Sequence, residues 1–406
     1  MADGAGPRGS DAAGRLRLAF VCHCLRPGDG TAGRIGGAER AAAELLAAFR
    51  ARDDVEVSLL AASAASDRLG FVSFSIRALG ELSRLARAGE IDVVLFTAFP
   101  TAWMAWLLAP VLGRHGVVRA AICHGHDITF ALAPYQWLLR RVFAALDAVL
   151  PVSRATAAEC LMRGADPKRL HVVCNGADLD RFAPPPAFEA RRDILRRAFP
   201  AETVPAEGLV ISAVGRQVAR KGHAWFVRAV MPRLKDGAEL WLAGGGPEAP
   251  AIAAAARQAG VEDRVRRLGA VPDEQLHALY RGADLMVMPN VAIPGDIEGF
   301  GLVLLEANLN GLPIVAADLE GPAEVVADGV NGRLVPAQDA GRFVTAIEQL
   351  WADPAERRRL GIEGEAFVRR TYGWAPVAAR HLAILRAARA RRAADGDQEL
   401  RPVFSG

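Results

Sequence analysis

Short apolar runs alternate along the chain with longer stretches in which apolar residues recur at helical spacing. This alternation is typical of parallel strands joined by helices, because crossover helices cover such strands on both faces and leave them almost wholly apolar. The pattern predicts strands on both sides of a proline-rich segment in the middle of the chain. These strands are residues 16–23, 55–61, 91–97, 119–124, 148–152, 170–174, 209–215, 239–244, 265–269, 284–288, 313–317 and 333–335.

The proline-rich segment, Phe182-Ala-Pro-Pro-Pro-Ala187, predicts a stiff linker between two domains. A chain of 406 residues is also too long for one core of ordinary size. We therefore predict an α/β protein with two doubly wound, Rossmann-like domains. Its segments are a disordered leader (1–14), the two domains (15–187 and 188–374), a helix rich in alanine, leucine and arginine (375–393) and a disordered tail (394–406).

Composition limits the classes of function and the compartment. The formal net charge of +3 is too small for a dedicated nucleic-acid-binding protein. The five cysteines are odd in number and lie within apolar runs, which predicts a reduced, cytoplasmic compartment. The first 14 residues lack the apolar segment of a signal peptide, and the apolar run at 98–113 is too short to span a bilayer. We expect a soluble or membrane-peripheral protein.

One stretch in the second half combines a carboxylate, a glycine turn and a helix N-terminus. Glu298 precedes Gly-Phe-Gly at 299–301, and an apolar pattern then predicts a helix that closes at Gly311. Free N–H groups and the dipole at a helix N-terminus favour a phosphate, and glycines let it approach the backbone. Glu306 lies eight positions after Glu298, so a helix would separate their backbones by about 12 Å. The two carboxylates would grip hydroxyl groups at two ends of an elongated, phosphate-containing ligand.

This stretch resembles the E-x7-E signature of the retaining nucleotide-sugar glycosyltransferases of family 4, which have the GT-B fold. Further segments resemble elements of that family in the same order, over about residues 17–386. The resemblance implies a GT-B architecture in which two Rossmann-like domains face a central cleft. The N-terminal domain would bind the acceptor and the C-terminal domain the nucleotide sugar. The terminal helix would cross back onto the N-terminal domain.

A basic loop, Gly215-Arg-Gln-Val-Ala-Arg-Lys-Gly222, resembles the family's GR-x3-RKG element. A departing nucleoside diphosphate concentrates negative charge, which fixed cations and N–H groups must meet when no metal ion does so. We choose Arg216 and Lys221 for this role. Lysine occurs at only three positions in the chain, which makes Lys221 more informative. A solvated basic turn is the alternative.

Four glycine-loop and backbone positions are assigned to the nucleotide sugar through the resemblance. Gly36 and Gly37 belong to the family's GGAER element, at the end of a glycine-rich loop that feeds a helix. Gly246 belongs to the GxGP element near the nucleotide, and Val271 to the loop that holds the base through backbone groups. The glycines at 244–246 lack both a third spaced glycine and a following acidic strand end, so NAD is not predicted.

Two histidines follow the fourth predicted strand in Cys-His-Gly-His-Asp, which resembles the family's HG-x-D element. His124 matches the residue that lines the donor and acceptor site, Asp127 matches the following acid, and the sequence leaves His126 open as the rival. The run Cys22-His-Cys24 raises the alternative of a zinc site. Strand alternation separates its cysteines from its histidine, so we expect the cysteines to fill the core.

The resemblance implies a retaining transfer from a nucleotide-diphosphate sugar, without a required metal ion or a resident cofactor. Glu298 would bind hydroxyls of the sugar, Glu306 would bind the ribose diol, and His124 would position the sugar or the acceptor. The acceptor proton would pass to the leaving phosphate oxygen on the same face of the sugar. The donor would be held by backbone N–H groups around Phe300, Gly301 and Leu302.

The acceptor is predicted to be a glycan or a lipid-linked molecule. Residues 71–87 combine apolar positions with arginines, and Trp103, Trp106 and Trp137 lie nearby in sequence. A basic amphipathic helix beside aromatic residues suits peripheral contact with an anionic membrane surface. An ordinary helix that packs on the sheet with solvated arginines explains the pattern equally well.

Other activities on the GT-B fold are the alternatives. A nucleotide-sugar epimerase would convert the donor without an acceptor. A pyridoxal-phosphate phosphorylase requires a Schiff-base lysine, and the scarcity of lysine disfavours it. An inactive sugar-binding homologue is disfavoured because Glu298, Glu306, Arg216 and Lys221 are all present. The sequence therefore predicts a retaining glycosyltransferase.

Overall fold

The first of two parallel sheets occupies the N-terminal half of the chain. The computed structural model describes residues 14–25, 37–63, 68–200 and 203–399. The sheet has the strand order β2-β1-β3-β4-β5. Its strands are β1 (Leu16–Leu25), β2 (Val55–Ser63), β3 (Val93–Phe96), β4 (Val118–Cys123) and β5 (Ala148–Pro151). The helices along this half are α1 (Gly37–Arg50), α2 (Arg68–Ala88), α3 (Phe99–Leu107), α4 (Ala109–Arg114), α5 (His126–Thr129), α6 (Ala133–Ala145) and α7 (Arg154–Met162).

The second sheet has the order β11-β10-β9-β6-β7-β8 and is also parallel. Its strands are β6 (Leu209–Val214), β7 (Ala238–Ala243), β8 (Val265–Gly269), β9 (Leu285–Met288), β10 (Ile314–Asp318) and β11 (Gly332–Pro336). The helices of this half are α8 (Arg191–Ala198), α9 (His223–Ala229), α10 (Ala249–Gln258), α11 (Asp273–Gly282), α12 (Leu302–Leu309), α13 (Pro322–Val325), α14 (Ala340–Ala352), α15 (Pro354–Thr371) and α16 (Trp374–Glu399). The predicted α/β class with two parallel sheets is confirmed.

The central strand β1 shows why the predicted strands are continuous apolar runs. Leu18 and Phe20 pack into the core on one face of the sheet, whereas Ala19 and Val21 pack into the core on the other. All four are fully buried. A strand covered on both faces has no solvent side, so its central residues are apolar on both faces.

The last helix, α16, belongs to the first sheet rather than the second. It packs against α1, β4 and β5. Three of its arginines form ion pairs with aspartates of the first half at 2.8–2.9 Å, which are Arg386 with Asp54, Arg389 with Asp92 and Arg392 with Asp147. We call the first sheet with α1–α7 and α16 the first lobe, and the second sheet with α8–α15 the second lobe.

The two passages of the chain between the lobes lie side by side. The Ala177 N–H donates to the Tyr372 carbonyl at 2.6 Å, and Ala177 forms a parallel bridge with Gly373. A Cβ at Gly176 would lie 2.5 Å from the ring of Trp374, so only glycine fits there. The segment at 176–177, which precedes the linker, and the start of α16 therefore form one packed crossing.

The predicted strand at 170–174 is wrong. The segment runs beside β5, where His171 and Val173 donate backbone hydrogen bonds of 2.9 and 3.0 Å to Val149 and Pro151. Only Leu170 forms a bridge. Most of these side chains are half-buried, and within the described part of the chain no further strand lies outside them to continue the sheet.

The predicted ends of the chain fall largely outside the described residues. Of the predicted leader only Gly14 is described, and residues 400–406 of the predicted tail are not. The terminal helix continues to Glu399, beyond the predicted end at 393. None of the described helices combines the length and apolar character needed to cross a bilayer. Cys22 and Cys123 are fully buried in the core of the first lobe.

Candidate active site

A cavity of about 550 Å³ lies between the two lobes. Loops that follow β3, β4, β6 and β9 form its walls, as expected because parallel sheets bind ligands beyond the carboxyl ends of their strands. Most of the predicted site residues meet there. Those that line the cavity are Gly37, His124, Arg216, Lys221, Glu298, Phe300, Gly301 and Leu302.

Two cations hold one carboxylate oxygen of Glu298. The Lys221 Nζ lies 2.9 Å from Oε2, and the Arg220 Nε lies 3.1 Å from the same atom. Arg220 also reaches Asp296, with 3.4 Å between Nη1 and Oδ1. Glu298 is 9% exposed and Lys221 is 6% exposed, so this is a buried charge cluster. Its opposite charges lie close enough to balance each other.

The charge states of the cluster follow from these contacts. Burial raises the pKa of Glu298, but the Lys221 ammonium and the Arg220 guanidinium lower it by more, so the pKa lies below its usual value. Glu298 is therefore ionised at neutral pH. Burial, and then the charge of Lys221, lower the pKa of His223 to about 3. His223 is neutral, so it adds no positive charge beside Lys221.

The backbone of Glu298 is fixed from the loop after β10. Its N–H donates to Oε2 of Glu320 at 2.6 Å, and its carbonyl accepts from the N–H of Gly321 at 3.1 Å. A Cβ at Gly321 would lie 2.6 Å from the Phe300 Cα, so the two loops pack backbone against backbone. This contact sets the position of Glu298 before any ligand is present.

Arg216 differs from its two basic neighbours. It is exposed on the cavity wall, and within the described residues its guanidinium has no hydrogen bond or ion pair. Lys221 lies at the end of a turn that closes at Gly222, which has a φ of 66°. A Cβ at Gly222 would lie 2.0 Å from the Pro289 carbonyl oxygen, so this glycine lets the turn pack on the next loop. Arg216 is therefore open to an anion, whereas Lys221 is held in place.

His124 faces the cavity from the first lobe. Its Nε2 lies 2.8 Å from the carbonyl oxygen of Thr97, which only accepts, so Nε2 carries the proton in this contact. Its backbone N–H donates to Oδ1 of Asp127 at 2.9 Å, and Oδ2 of Asp127 accepts from the N–H of Phe99 at 3.2 Å. Asp127 thus ties the loop after β4 to the start of α3 and orients His124.

His126, the rival histidine, also lines the cavity. Its side chain is 69% exposed, and its Nδ1 lies 3.4 Å from Oδ1 of Asp296 in the second lobe. His124 is held by Thr97, while His126 reaches across the cleft to the Arg220 cluster. The structure therefore places both histidines at the cavity, with different surroundings.

The two lobes touch at a pair of glycines. A Cβ at Gly299 would lie 1.8 Å from the His124 carbonyl oxygen, and a Cβ at Gly125 would lie 3.2 Å from the Gly299 Cα. Gly125 also has a φ of 105°, which disfavours any residue with a side chain. These glycines allow the loop of His124 to lie directly on the loop of Glu298.

Helix α12 points its N-terminus at the cavity. Gly301 precedes the helix with a φ of 99°, and Leu302 and Val303 begin it. The first N–H groups of a helix have no intrahelical partner, and they carry the positive end of the dipole. Phe300 is 4% exposed and packs on Tyr372, so it offers the cavity mainly its backbone. This end of α12 suits a phosphate.

Glu306 lies apart from the main cavity. It lines a small cavity of about 20 Å³ beside α1 and the linker. Its Oε1 pairs with Arg40 and, at 3.0 Å, with Arg181, while its Oε2 accepts from the Tyr280 hydroxyl at 2.7 Å. The assignment of Glu306 to a ribose diol stays a prediction, in a site whose carboxylate already has three partners.

The four glycine-loop and backbone predictions have separate outcomes. Gly36 lies outside the described residues, and Gly37 begins α1 at the cavity wall. Gly246 and Val271 do not line the cavity as the described residues form it. A Cβ at Gly246 would lie 2.3 Å from the Gln217 carbonyl oxygen, so this glycine joins the loops after β6 and β7. Its role near a nucleotide stays a prediction.

Sequence reasoning missed several members of the cluster. Arg220 stands beside Lys221 in the same motif, and adjacency alone gave no reason to choose it. Asp296 lies two residues before Glu298, within a turn whose sequence is also typical of an ordinary loop. Glu320 has a φ of 54°, which is an uncommon value for a residue with a side chain. No pattern in the sequence predicts this conformation.

Two family models match the chain. The model for Glycosyltransferase Family 4 matches residues 35–181, and the model for Glycosyl transferases group 1 matches residues 208–353. The first match covers most of the first lobe, and the second match covers the sheet of the second lobe. Together they include the cavity residues of both lobes.

Curated relatives of known name are also similar in sequence. The GDP-mannose-dependent alpha-(1-6)-phosphatidylinositol monomannoside mannosyltransferase of Mycolicibacterium smegmatis is 32% identical over 321 residues, which is 77% of this chain and 81% of that protein. The D-inositol 3-phosphate glycosyltransferase of Xylanimonas cellulosilytica is 36% identical over 260 residues, 63% of this chain and 60% of that protein.

Solved structures share the fold. HepE of Anabaena in complex with UDP has a TM-score of 0.70 at 18% identity, covering 92% of this chain and all of that chain. Sucrose-phosphate synthase from Thermosynechococcus elongatus has a TM-score of 0.71 at 21% identity, covering 93% and 100%. With the family matches and the relatives, this similarity shows that the chain is a glycosyltransferase of family 4, the group 1 glycosyl transferases, with the GT-B fold.

Proposed function

We propose that this glycosyltransferase moves a sugar from a nucleotide-diphosphate donor with retention at the anomeric carbon and without a required metal ion. The observation that carries the proposal is the buried cluster of Glu298, Lys221 and Arg220 beside Arg216 and the N-terminus of α12. It combines an ionised carboxylate for sugar hydroxyls with cations and N–H groups for a diphosphate. Such groups stabilise charge where it develops in the transition state.

The leaving diphosphate is the reactant that gains charge. Arg216 is open to it, Lys221 is fixed at the cavity wall, and the first N–H groups of α12 point towards the same space. As the bond between the anomeric carbon and the phosphate oxygen breaks, this oxygen becomes the base for the acceptor hydroxyl on the same face. The acceptor oxygen then bonds to the anomeric carbon as its proton passes to the phosphate. Glu298 binds the sugar and forms no covalent bond.

His124 would contribute from the opposite wall. Its Nε2 is engaged with Thr97, so its remaining ring nitrogen is the one available to a sugar or acceptor hydroxyl. Held in this way, the ring would orient a hydroxyl without first having to rotate. We therefore assign His124 to positioning, and His126 to the contact between the lobes.

The relatives suggest the classes of donor and acceptor. One is named for GDP-mannose and a phosphatidylinositol monomannoside, and another for D-inositol 3-phosphate. We propose a hexose donor of the GDP-mannose type and an acceptor that contains a phosphorylated inositol. A lipid-linked form of that acceptor would require the cavity to open near a membrane surface in the cytoplasm.

An exposed aromatic face of the first lobe supports the membrane part of the proposal. Trp106 and Trp137 meet edge to face at 6.0 Å and are 38% and 54% exposed. The Arg141 guanidinium lies 5.2 Å from the Trp137 ring. Phe130, which is 46% exposed, is a further exposed aromatic residue of this lobe and lines the cavity itself. Aromatic rings beside arginine suit the interface of an anionic bilayer.

Helix α2 packs into the same core, on the same face of the sheet, as α3 and α6. Leu69, Val72 and Ile76 are exposed at helical spacing, next to the exposed Arg77. Arg84, by contrast, is paired with Glu81 and Glu90, so it is less available to lipid phosphates. The N-terminal half of α2 is therefore the part that we expect to touch a membrane.

The test is an activity screen with product stereochemistry. The enzyme is incubated with GDP-mannose, UDP-glucose or ADP-glucose, with inositol phosphate or phosphatidylinositol vesicles as acceptor, and the anomeric proton is followed by NMR. We expect an α-linked product from an α-linked donor, unchanged by EDTA. An inverted product, or activity that EDTA abolishes and added metal restores, would refute the mechanism. Conversion of the donor alone would indicate an epimerase.

A further inference from the structure

The small cavity around Glu306 is built from both lobes and from the linker between them. Arg40 and Glu44 come from α1 in the first lobe, Arg181 directly precedes the linker, and Glu306 comes from the second lobe. Tyr280, which donates a hydrogen bond to Glu306, also belongs to the second lobe. Glu306 is 7% exposed and Tyr280 is fully buried. A carboxylate of the second lobe is thus held by a side chain that belongs to the first.

The carboxylate of Glu306 still has room for a ligand. An ionised carboxylate has about four acceptor positions. Arg40 and Arg181 share Oε1, and the Tyr280 hydroxyl occupies one position of Oε2. One acceptor position on Oε2 is therefore unoccupied. Displacement of either guanidinium from Oε1 by a ligand would free a second acceptor position. That capacity matches two neighbouring hydroxyl groups, such as the diol of a ribose.

Helix α1 connects this carboxylate to the main cavity. Its first residues, Gly37 to Glu39, line the main cavity, and the following Arg40 and Glu44 line the small one. Leu302 of the second lobe lines both cavities. A nucleotide with its diphosphate at α12 and its ribose at Glu306 would therefore lie along the first turns of α1.

A second contact fixes α1 against the crossing between the lobes. Glu44 accepts a hydrogen bond from the indole Nε1 of Trp374, at the start of α16. Burial raises the pKa of Glu44 to about 7, although the Trp374 hydrogen bond lowers it. The position of Arg40 is set by a helix that is itself anchored where the chain passes between the lobes.

We propose that Arg40 is a positioning residue for the donor, which aligns the Glu306 carboxylate for the ribose hydroxyls and so couples ribose recognition to the contact between the lobes. The proposal rests on the proposed function, because it requires a nucleotide donor in the cavity. It assigns to the first lobe a share of donor recognition, through a residue that does not line the diphosphate site.

Ribose discrimination is the measurement that isolates this role. Binding of GDP, UDP and ADP to the full-length protein is measured by calorimetry, and the tightest is compared with its 2′-deoxy and 3′-deoxy forms. We expect the wild-type protein to prefer the intact ribose about tenfold or more, as for a charge-assisted hydrogen bond. In Arg40→Ala this preference falls to about twofold, and in Arg40→Lys it is partly restored.

A matched control is available on the same helix. Arg50 is exposed in the last turn of α1, so Arg50→Ala removes the same charge without touching Glu306. We expect this variant to keep the wild-type preference. Arg40→Ala leaves Glu306 paired with Arg181 and Tyr280, and an unchanged melting temperature verifies that the variant is folded.

The possible failures are distinguishable. If Arg40→Ala binds intact and deoxy nucleotides more weakly by the same factor, or keeps the wild-type preference, Arg40 does not position the ribose site. If the wild-type protein binds the nucleoside diphosphate without preferring intact ribose, the inference fails while the proposed function stands. If no nucleoside diphosphate binds, the proposed function itself fails, and the inference with it.

Discussion

The ammonium of Lys221 lies 2.9 Å from the Glu298 carboxylate, and both side chains are buried at the wall of the cavity. A buried ion pair of this kind contributes little net stability, whereas removal of one partner costs roughly 3–5 kcal/mol because a charge is left unpaired. In a glycosyltransferase the pair has a second consequence. If Lys221 meets the leaving phosphate and Glu298 the sugar, as we propose, the two groups hold each other in position before the donor arrives.

Replacement of Glu298 by glutamine should lower both activity and stability, because it leaves two buried cations without their carboxylate. Glu298→Gln keeps the shape of the side chain but removes the charge that balances Lys221 and Arg220. We expect kcat/KM to fall about 100-fold or more, as when a preorganised electrostatic group is lost. Steady-state kinetics give the rate, and Asp296→Asn, which changes an outer partner that Arg220 shares with His126, should cost less. Equal losses for the two variants would contradict the assignment.

The pH dependence of the rate should respond to Arg220. Because the pKa of Glu298 is lowered in the folded protein, its ion pairs stabilise the fold above the usual pKa and are lost as the pH falls through the lowered value. Arg220→Gln removes one of the two causes of the lowering, so the acidic limb of the kcat/KM profile should move to higher pH. Arg228→Gln, at an exposed arginine of α9, serves as control. An unmoved limb in Arg220→Gln would show that Glu298 does not govern it.

Arg216 should be important for the donor and unimportant for the fold. It is exposed and has no described partner, so Arg216→Ala is expected to leave the melting temperature unchanged. Loss of its charge beside the diphosphate should lower kcat/KM for the donor by about 10- to 100-fold, the range for a hydrogen bond to a charged group. Kinetics and thermal unfolding of the same preparation test both parts. A wild-type rate would remove Arg216 from the site.

Gly299 should tolerate no side chain, although its backbone conformation is ordinary. A Cβ at this position would lie 1.8 Å from the His124 carbonyl oxygen, so Gly299→Ala must push the two loops apart. We expect at least about a tenfold loss of kcat/KM, because small misplacements of catalytic groups are costly. Gly80→Ala, at an exposed glycine of α2, is the matched control, since no atom lies within 4 Å of its Cβ position. Similar activity of the two variants would show that the lobes need not touch there.

The aromatic face should decide whether the protein associates with membranes. Trp106→Ala combined with Trp137→Ala removes the exposed ring pair of the first lobe. In flotation with phosphatidylglycerol vesicles, we expect several-fold less bound protein than for wild type, because buried aromatic area drives interfacial binding. Ile362→Ala removes an apolar side chain that is 63% exposed on α15, and should change nothing. Absence of wild-type binding would remove the membrane part of the proposal.

The fold was predictable for strands that are buried on both faces and less predictable at the edge of a sheet. The strand at Val265–Gly269 was predicted to the residue, although it contains two arginines. The other ten observed strands were predicted close to their positions, because parallel strands covered on both faces are mostly apolar. The segment at 170–174 has the same composition but lies at the sheet edge. Whether an edge segment continues a ladder depends on a neighbour that composition does not reveal.

The site was predictable as a set of loops, and its pairings were not. Glu298, Lys221 and Arg216 were recognised from motifs, and all three line one cavity. That Lys221 would pair with Glu298 depends on the approach of two loops more than 70 positions apart in the chain. A sequence motif does not indicate which distant loop will pack against it. The same reasoning explains why the partners of Glu306, from three separate segments, were not foreseen.

The crossing at Ala177 and Gly373 has a consequence for how such enzymes diversify. The chain between these two residues is one continuous segment. It leaves the first lobe and returns to it at the same place. Recombination at both points would exchange the second lobe as one unit and leave the first lobe whole. Chimaeras of this kind should keep a matched glycine at 176 and tryptophan at 374, because these two residues form the junction.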